Sequence, residues 1–328
     1  MFFIGIDVSK AKLDCSLLLD VGSGKRKSKS VANSKSGITD LLAWCAKQFI
    51  APVDLHAIME GTGAYHEQAA MALFDTHVTV SITNPAQVKQ FGRSLGIRTK
   101  TDGVDSFILA KYGALICPKP WLPPASEARE LHALLTRRDA VSQDLQRERN
   151  RLEKTEVTEV SPLISQSILD TIAFMEQQLA KLEENIDQHI NNHPNLKEDR
   201  DLLTSIPAVG AQVGNQLLSV LHNLSFHSAE QFAAYLGLVP VERQSGSSIK
   251  GRPRLSKNGP AHIRAKLYMA AIVATRHNPH LKGLYQRLQA RGKSKMSALG
   301  AVMRKLAHIC FDVLKTRIPY QSDYAVSY

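Results

Sequence analysis

Four acidic residues occupy an unusual place in this sequence, because each stands where an apolar run meets a turn or the start of a helix. They are Asp7, Glu60, Asp102 and Asp105. Asp7 interrupts the run Phe2–Val8, whose alternation predicts a strand with Asp7 on the face opposite its apolar neighbours. Glu60 closes a second apolar run before a glycine-rich turn. Asp102 and Asp105 lie at the start of a predicted helix at a spacing that places them on one helical face.

The four carboxylates can converge only if protonation or bound cations relieve their repulsion. Two unit charges about 4 Å apart repel by roughly 4 kcal/mol at an effective dielectric of about 20. Oxygen ligands without histidine or cysteine favour Mg²⁺, or Mn²⁺ in its place, and such ions promote phosphodiester cleavage. Each acid also has an ordinary interpretation. Asp102 would be a helix N-cap, Asp105 a first-turn residue favoured by the helix dipole, and Glu60 a surface charge at a strand end.

A second group of residues suited to phosphate chemistry lies between residues 243 and 257, where five cations occur without an acid. The cations are Arg243, Lys250, Arg252, Arg254 and Lys257. Small residues in this stretch let the backbone approach a ligand closely, and the cations can neutralise neighbouring phosphates. Ser245, Ser247 and Ser248 carry the same hydroxyl, a poor nucleophile unless metal ions or cations activate it. The alternative is a solvated loop that only binds nucleic acid.

The overall charge of the chain favours a polyanionic partner. Lysine and arginine number 41 against 30 aspartate and glutamate residues, which gives a net charge of +11. Farther along, Arg264 and Lys266 stand beside a helical apolar stripe and are predicted to line DNA or RNA. Ordinary solvation of a helix face is the alternative interpretation of these two residues. Composition by itself does not choose between DNA and RNA.

Composition also narrows the class of protein. The four cysteines are scattered, without a CxxC pair or another spacing typical of zinc ligands. The apolar run before Asp7 is too short for a signal-peptide core or a membrane span. We therefore expect a globular, cytoplasmic protein with no membrane partner.

Hydrophobic periodicity predicts three regions. Residues 1–122 alternate strand-like and helix-like segments, which indicates an α/β domain. The predicted strands are Phe2–Val8, Cys15–Leu19, Ala57–Glu60 and Val78–Ile82, and the predicted helices are Gly37–Phe49, Tyr65–Phe74 and Val104–Ala114. Asn84-Pro85 is expected to interrupt regular structure, and the prolines from 118 to 124 mark the exit from this domain.

The remainder of the chain is predicted to be mostly helical. Residues 123–198 carry two long apolar stripes joined near Ser161-Pro162, consistent with a helical hairpin within one chain or with an intermolecular coiled coil. In residues 199–328, the segment Leu202–Gly210 leads into Val213–Leu221 and looks like a helix-hairpin-helix, whose turn can present backbone amides to a phosphate. A simple helix turn is the alternative. Leu267–Ala274 is expected to be part of a buried helix.

The motifs taken together resemble one family. The sequence order is Gly5-Ile6-Asp7-Val8-Ser9-Lys10, then Glu60-Gly61-Thr62-Gly63, Thr101-Asp102-Gly103-Val104-Asp105 and Ser245-Gly246-Ser247-Ser248. This order is similar to that of the DEDD insertion-sequence transposases, which include Piv-type DNA invertases and bridge-RNA-guided serine recombinases. The resemblance implies a ribonuclease-H-like (RuvC-like) catalytic domain over 1–122, a coiled-coil oligomerisation region over 123–198 and a C-terminal transposase domain over 199–328.

The resemblance also implies roles for individual residues. Asp7, Glu60, Asp102 and Asp105 would hold magnesium, and Ser245 would be the covalent nucleophile. The implied partners are double-stranded donor and target DNA, a structured noncoding guide RNA and further copies of the chain in a dimer or tetramer. In relatives, the serine and the acids can come from different protomers. Relatives commonly have glycine where Ala208 stands, so the resemblance implies either a tighter hairpin than usual or a hairpin without its phosphate contact.

The leading hypothesis is a DNA transposase or recombinase that exchanges strands through a covalent phosphoserine–DNA intermediate. Two alternatives remain. A metal-dependent nuclease of the Holliday-junction type would use water instead of Ser245, and a noncatalytic nucleic-acid-binding protein would keep the fold without cleaving.

Overall fold

The computed structural model divides the chain into two compact units, Met1–Pro123 and Pro124–Tyr328. It describes residues 1–61, 63, 65–97, 99, 101–157, 161–242, 244–245, 249–250 and 253–322. The predicted middle and C-terminal regions both fall in the second unit. None of the described helices has the length and apolar content that crossing a membrane requires.

The first unit is built on a five-stranded sheet with the strand order β3-β2-β1-β4-β5. The strands are β1 Phe2–Val8, β2 Lys12–Leu18, β3 Arg26–Ala32, β4 Leu55–Glu60 and β5 Thr79–Thr83. Strands β1, β2 and β3 pair antiparallel, whereas β4 pairs parallel to both β1 and β5. This order and these directions confirm the prediction of a ribonuclease-H-like domain.

Helices cover both faces of this sheet, as expected where parallel strands occupy its centre. They are α1 Lys35–Ala46, α2 Tyr65–Asp75, α3 Pro85–Ser94 and α4 Asp102–Ile116. Ile4, Ile6 and Met59 pack on one face in a core that includes Leu41 of α1 and Leu73 of α2. On the other face, Ile58 packs in a cluster with Val88 of α3 and Leu109 of α4.

Two elements of the first unit differ from the sequence-based expectation. Strand β3 escaped prediction because it reads Arg-Lys-Ser-Lys-Ser-Val-Ala and only Val31 is buried, as an edge strand allows. Asn84-Pro85 does end strand β5, as expected, but the sequence analysis did not predict the helix α3 that begins there. The Asn84 side chain accepts a hydrogen bond from the Ala86 amide at 2.8 Å, and Pro85 begins α3, where proline needs no amide hydrogen.

Helix α4 lies very close to the central strand β1 because Gly5 has no side chain. A Cβ atom on Gly5 would stand 1.9 Å from the Ser106 carbonyl oxygen and 2.4 Å from the Ala110 amide nitrogen. Farther along α4, a Cβ atom on Gly113 would meet Ile58 Cγ1 at 2.4 Å. The Ser16 hydroxyl on β2 hydrogen-bonds the Ser106 hydroxyl at 2.9 Å. Close packing therefore determines where the first turn of α4 meets the sheet.

The second unit begins with two long antiparallel helices, α5 Ser126–Val157 and α6 Pro162–Asn192. They pack along each other, with Arg149 of α5 paired to Glu176 of α6 at 2.6 Å. The predicted hairpin within one chain is thus confirmed. Near the connection between the two helices, large apolar side chains are exposed. Val157 is 85%, Leu163 82% and Phe174 60% exposed.

A bundle of shorter helices completes the second unit. They are α7 Pro194–Thr204, α8 Ala211–Asn223, α9 Ala229–Tyr235, α10 Ala261–His277, α11 Pro279–Ala290 and α12 Lys295–Thr316. Helix α10 contains the expected helix over Leu267–Ala274, but that segment is buried on one side only, because Met269 and Val273 are exposed. Leu131 and Ile190 of the hairpin belong to the same apolar core as Leu217 of α8 and Leu306 of α12. The base of the hairpin is therefore part of this core.

Helices α7 and α8 and the turn between them form the predicted helix-hairpin-helix-like element. Ala208 has a φ of 85° in this turn, a conformation in which glycine is unstrained and other residues are not. At Ala208 the backbone therefore adopts the conformation that glycine favours, although the residue is alanine. The presence of Ala208 strains this turn without abolishing it.

Between α9 and α10, the described residues include four strands of two residues each. They are β6 Pro240–Val241, β7 Gln244–Ser245, β8 Ile249–Lys250 and β9 Arg254–Leu255. Strand β6 pairs antiparallel with β9, and β7 pairs antiparallel with β8. The chain therefore leaves the bundle along β6 and β7 and returns along β8 and β9.

We predict that Gly5→Ala lowers the free energy of unfolding by about 3 kcal/mol, because the added methyl group overlaps backbone atoms of α4 that cannot move alone. The matched control is Gly103→Ala in α4, where an added Cβ has no atom within 4 Å. Replacing glycine with alanine in that helix should stabilise the protein by about 0.5–1 kcal/mol. Urea unfolding of the full chain measures both values. Equal stability of the two variants would contradict the close packing at Gly5.

Candidate active site

Asp7 and Glu60 are neighbours at one edge of the sheet. In the parallel register of β1 and β4, Ile6 is opposite Met59, so the next residue of each strand is Asp7 and Glu60, respectively. Side chains at matching positions of neighbouring strands point to the same face. Both acids are half-buried. The register thus brings together two of the four predicted acids.

The first turn of α4 brings the other two acids to the same edge. Helix α4 runs opposite to β1, since Gly113 lies by Phe3 whereas Ser106 lies by Gly5. Asp102 lies one helical turn before Ser106, toward the start of α4. Asp7 lies two residues after Gly5, on the same face of β1. The contacts therefore place the first turn of α4 at the ends of β1 and β4. We call Asp7, Glu60, Asp102 and Asp105 the acid corner.

The helix start explains how α4 tolerates two acids in its first turn. Thr101 is the N-cap, and its hydroxyl oxygen accepts a hydrogen bond from the Val104 amide at 3.3 Å. The ordinary interpretation of Asp102 as the N-cap is therefore wrong. Asp102 and Asp105 lie in the first turn, where the helix dipole favours negative charge. Asp102 is exposed and Asp105 half-buried.

Two further charged residues belong to this region, and sequence analysis missed both. Asp14 of β2 lies opposite Asp7 in the antiparallel register. The Lys12 ammonium group, also on β2, is 2.9 Å from Asp14 Oδ2 and 2.8 Å from Asp102 Oδ2. Hydrogen bonds to Asp102 and Asp14 raise the pKa of Lys12 above its usual value. The short turn after β1 was the available signal. It implies that the second strand begins before Cys15 and therefore includes Lys12 and Asp14.

The donor chemistry of the acid corner fits a hard divalent cation, because its side chains offer only carboxylate oxygens. In the observed side-chain positions, however, no three His, Cys, Asp or Glu side chains of the described residues are grouped as they would be around a metal ion. The Asp102 carboxylate instead pairs with Lys12. The backbone thus brings the four acids to one edge, while the side chain of one of them, Asp102, pairs with the exposed Lys12.

The predicted nucleophile lies on the excursion between α9 and α10. The backbone of Ser245 pairs with Ile249 and that of Gln244 with Lys250. Arg254 and Lys257 are exposed on the returning segment. Arg243, Arg252 and the serines Ser247 and Ser248 lie outside the described residues, as do the side chains of Ser245 and Lys250. Ser245 is in the second compact unit and the acid corner in the first.

The two cations predicted on α10 have partners within the protein. The Arg264 guanidinium group donates hydrogen bonds to the carbonyl oxygens of Leu236 at 3.3 Å and Gly259 at 3.0 Å. The Lys266 ammonium group lies 2.8 Å from both carboxylate oxygens of Asp139 in α5. Their charges are engaged in joining α10 to neighbouring elements. Sequence spacing alone could not reveal these partners.

Asp139 is the centre of a polar network at the base of the hairpin. Besides Lys266, it accepts hydrogen bonds from Gln216 at 3.0 Å and from Arg138 at 3.2 Å. Arg138 also donates to Glu183 of α6 at 2.7 Å. The side chains of Asp139 and Lys266 are only 15% and 21% exposed. This network therefore ties both hairpin helices to α8 and α10 in a partly dehydrated setting.

We predict that Lys266→Met lowers the free energy of unfolding by about 2 kcal/mol, because it leaves a partly buried carboxylate with one donor fewer. The matched control is Lys257→Met, which removes an exposed lysine and should change stability by less than about 0.5 kcal/mol. Urea unfolding followed by circular dichroism measures both. Unchanged stability of Lys266→Met with a reduced salt dependence of DNA binding would assign Lys266 to phosphate contact instead.

Comparison with known proteins gives consistent matches along the chain. Residues 200–286 match the family described as Transposase IS116/IS110/IS902 family, and residues 4–159 match a transposase family of the DEDD IS110 type. The pilin gene-inverting proteins of Moraxella lacunata and Moraxella bovis are 33% and 32% identical over 320 residues, 97% of this chain and 97% of each relative. A structure of Thermus thermophilus RuvC with a Holliday junction substrate covers 37% of this chain and 99% of its own, at 17% identity and a TM-score of 0.28.

Proposed function

Since the chain belongs to the IS116/IS110/IS902 transposase family, we propose that it exchanges DNA strands through a covalent link between Ser245 and DNA. Family membership makes it a DNA-cleaving recombinase with a ribonuclease-H-like domain of the DEDD type. The covalent link is the finer part of the proposal. The observation that carries the proposal is the acid corner, because the sheet register and the packing of α4 bring acids from three separate parts of the sequence to one edge.

The proposed reaction is a pair of transesterifications. The Ser245 hydroxyl oxygen attacks a DNA phosphorus atom, a new bond forms between them, and the bond from phosphorus to one deoxyribose oxygen breaks. The serine hydroxyl loses its proton, and the departing deoxyribose oxygen gains one. In the second step, a deoxyribose hydroxyl of the new partner strand attacks the phosphoserine and releases Ser245. Each step exchanges one phosphoester for another, so rejoining requires no ATP.

The acid corner is the proposed magnesium site. Asp7, Glu60, Asp102 and Asp105 would hold Mg²⁺, or Mn²⁺ in its place, and the all-oxygen donor set supports this choice. When bound, such an ion supplies charge stabilisation to a phosphodiester undergoing substitution. The role of the four side chains is to place that charge beside the sheet edge, where the half-buried Asp7 and Glu60 have limited access to water.

DNA is the proposed substrate, as both donor and target. The two Moraxella relatives are named for the inversion of a pilin gene, which is a rearrangement of DNA. The net charge of +11 and the exposed Arg254 and Lys257 support phosphate contacts. Arg243, Lys250 and Arg252 are proposed to join them, whereas the contacts of Arg264 and Lys266 argue for structural roles.

Two further partners are part of the proposal. A structured guide RNA follows from the family resemblance and from the same basic segment, which would contact either nucleic acid through its phosphates. A homo-oligomer, as a dimer or tetramer, is supported by the exposed Val157, Leu163 and Phe174 near the hairpin connection. An assembly of this kind would allow the serine and the acids to come from different protomers.

We predict that Ser245→Ala abolishes the covalent DNA adduct while retaining DNA binding, because the variant lacks the attacking hydroxyl. Labelled, nicked double-stranded DNA from the region flanking the gene is incubated with the protein and its copurifying nucleic acid. Denaturing electrophoresis then detects the covalent adduct. Ser247→Ala is the matched control and should keep the adduct. Strand cleavage that persists in Ser245→Ala would indicate a nuclease that uses water. Binding without cleavage by the unaltered chain would indicate a noncatalytic binding protein.

We also predict that Asp105→Asn reduces cleavage by about 100-fold or more, since it removes a metal-binding carboxylate, while DNA affinity changes by less than about threefold. Asp75→Asn, at an exposed position at the end of α2, is the matched control and should leave both quantities unchanged. Single-turnover cleavage and filter binding at fixed salt measure the two effects. Full cleavage by Asp105→Asn would show that Asp105 is not one of the metal ligands.

A further inference from the structure

Within the described part of the chain, Lys12 pairs with a residue of the acid corner. Its ammonium nitrogen lies 2.8 Å from Asp102 Oδ2 and 2.9 Å from Asp14 Oδ2, so one group bridges β2 and the first turn of α4. Asp14 faces Asp7 across the antiparallel pair, which puts this bridge beside the proposed metal ligands. The contact joins residues 90 positions apart in the chain.

The Lys12–Asp102 pair is poorly suited to stabilising the fold. The Lys12 and Asp102 side chains are 48% and 58% exposed, and ion pairs so accessible to water contribute little to stability. The unit already has two apolar clusters, on opposite faces of its sheet, and Gly5 and Gly113 position α4 by backbone contact. What the pair does control is the direction in which the Asp102 carboxylate points.

The direction of Asp102 matters because its carboxylate oxygen cannot serve two cations equally. With Asp102 turned to Lys12, the described acids form no group of three around a common point. A divalent ion at the acid corner needs Asp102 oxygen as a ligand and is repelled by an ammonium group nearby. Lys12 and the ion therefore compete for the same carboxylate.

We propose that Lys12 is a positioning residue that holds Asp102 against β2 and releases it when a divalent ion binds. Lys12 is thus a cation of the protein itself that offsets part of the negative charge of the acid corner before metal binding, and that weakens metal binding because it competes for Asp102. The inference rests on the proposed function, since it takes the acid corner to be the metal site. Removing the charge of Lys12 should therefore strengthen metal binding. Removing a residue that the metal site requires would weaken it.

The test measures the affinity of the DNA-free full chain for Mn²⁺ alone, by electron paramagnetic resonance of the unbound ion. Lys12→Met should bind Mn²⁺ about fivefold to tenfold more tightly, as expected for removing a unit charge about 6 Å from a divalent ion in a water-like dielectric. Lys12→Arg keeps the charge and should bind as the unaltered chain does. Lys10→Met removes an exposed lysine from the turn between β1 and β2 and should change the affinity by less than about twofold.

Stability measurements separate a local effect from misfolding. In EDTA, the melting temperature of Lys12→Met should stay within about 2 °C of the unaltered chain, since the pair is exposed. If Lys12→Met does not fold, Lys12→Gln removes the charge while keeping a polar end group, and the same increase in affinity is expected. An affinity that is unchanged or weaker in the charge-removing variant overturns the inference.

The same experiment distinguishes a failure of the proposed metal site from a failure of the role proposed for Lys12. If the unaltered chain binds no Mn²⁺, or binds it equally well after Asp7→Asn, the acid corner is not the metal site and the proposed function loses its cofactor. If Asp7→Asn abolishes binding while Lys12→Met leaves it unchanged, the metal site stands and only the role of Lys12 is wrong.

Discussion

The close packing of α4 on β1 is the constraint on which the candidate site depends. The absence of a side chain at Gly5 lets backbone atoms of Ser106 and Ala110 approach the central strand, where a Cβ would stand 1.9 Å from a carbonyl oxygen. This contact fixes the position of the helix start and therefore of Asp102 and Asp105. Without it, acids about a hundred positions apart in the sequence would have no common edge. A backbone contact inside the fold thus determines the geometry of charged groups at its surface.

Charge is balanced differently in the two units. At the acid corner, negative groups accumulate and Lys12 offsets part of their repulsion, at an exposed position where rearrangement is inexpensive. At the base of the hairpin, Asp139 and Lys266 are paired in a partly dehydrated network, where removing either partner is costly. The first arrangement is suited to exchange of one cation for another. The second is suited to holding helices in place, which explains why a basic residue on α10 need not face a phosphate.

Sequence reasoning identified what local patterns encode. The alternation in Phe2–Val8 and the acids at the ends of apolar runs were sufficient for the central strands and for selecting the four acids. Their meeting at one edge depends on the sheet register and the packing of α4, which the sequence alone did not establish. Strand β3 was missed because an edge strand needs few apolar residues, and Lys12 was missed because the second strand begins three residues earlier than its apolar run indicates. The partners of Arg264 and Lys266 lie in elements that are distant in the sequence, so no local pattern could predict them. At Ala208, by contrast, the family resemblance had already marked the position as one where relatives have glycine. The positive φ of this residue gives the physical reason for that preference.

The division of the chain places the two halves of the proposed chemistry in separately packed units. The acid corner belongs to a sheet with its own cores, and Ser245 belongs to an excursion from a helical bundle with another core. A nucleophile with no intrinsic activation becomes reactive only where cations and metal-binding acids meet the same phosphate. Because neither unit contains both groups, neither unit alone would cleave DNA by the proposed route. Strand exchange would then depend on assembly with nucleic acid, which limits cleavage to the complex in which the broken strands can be rejoined.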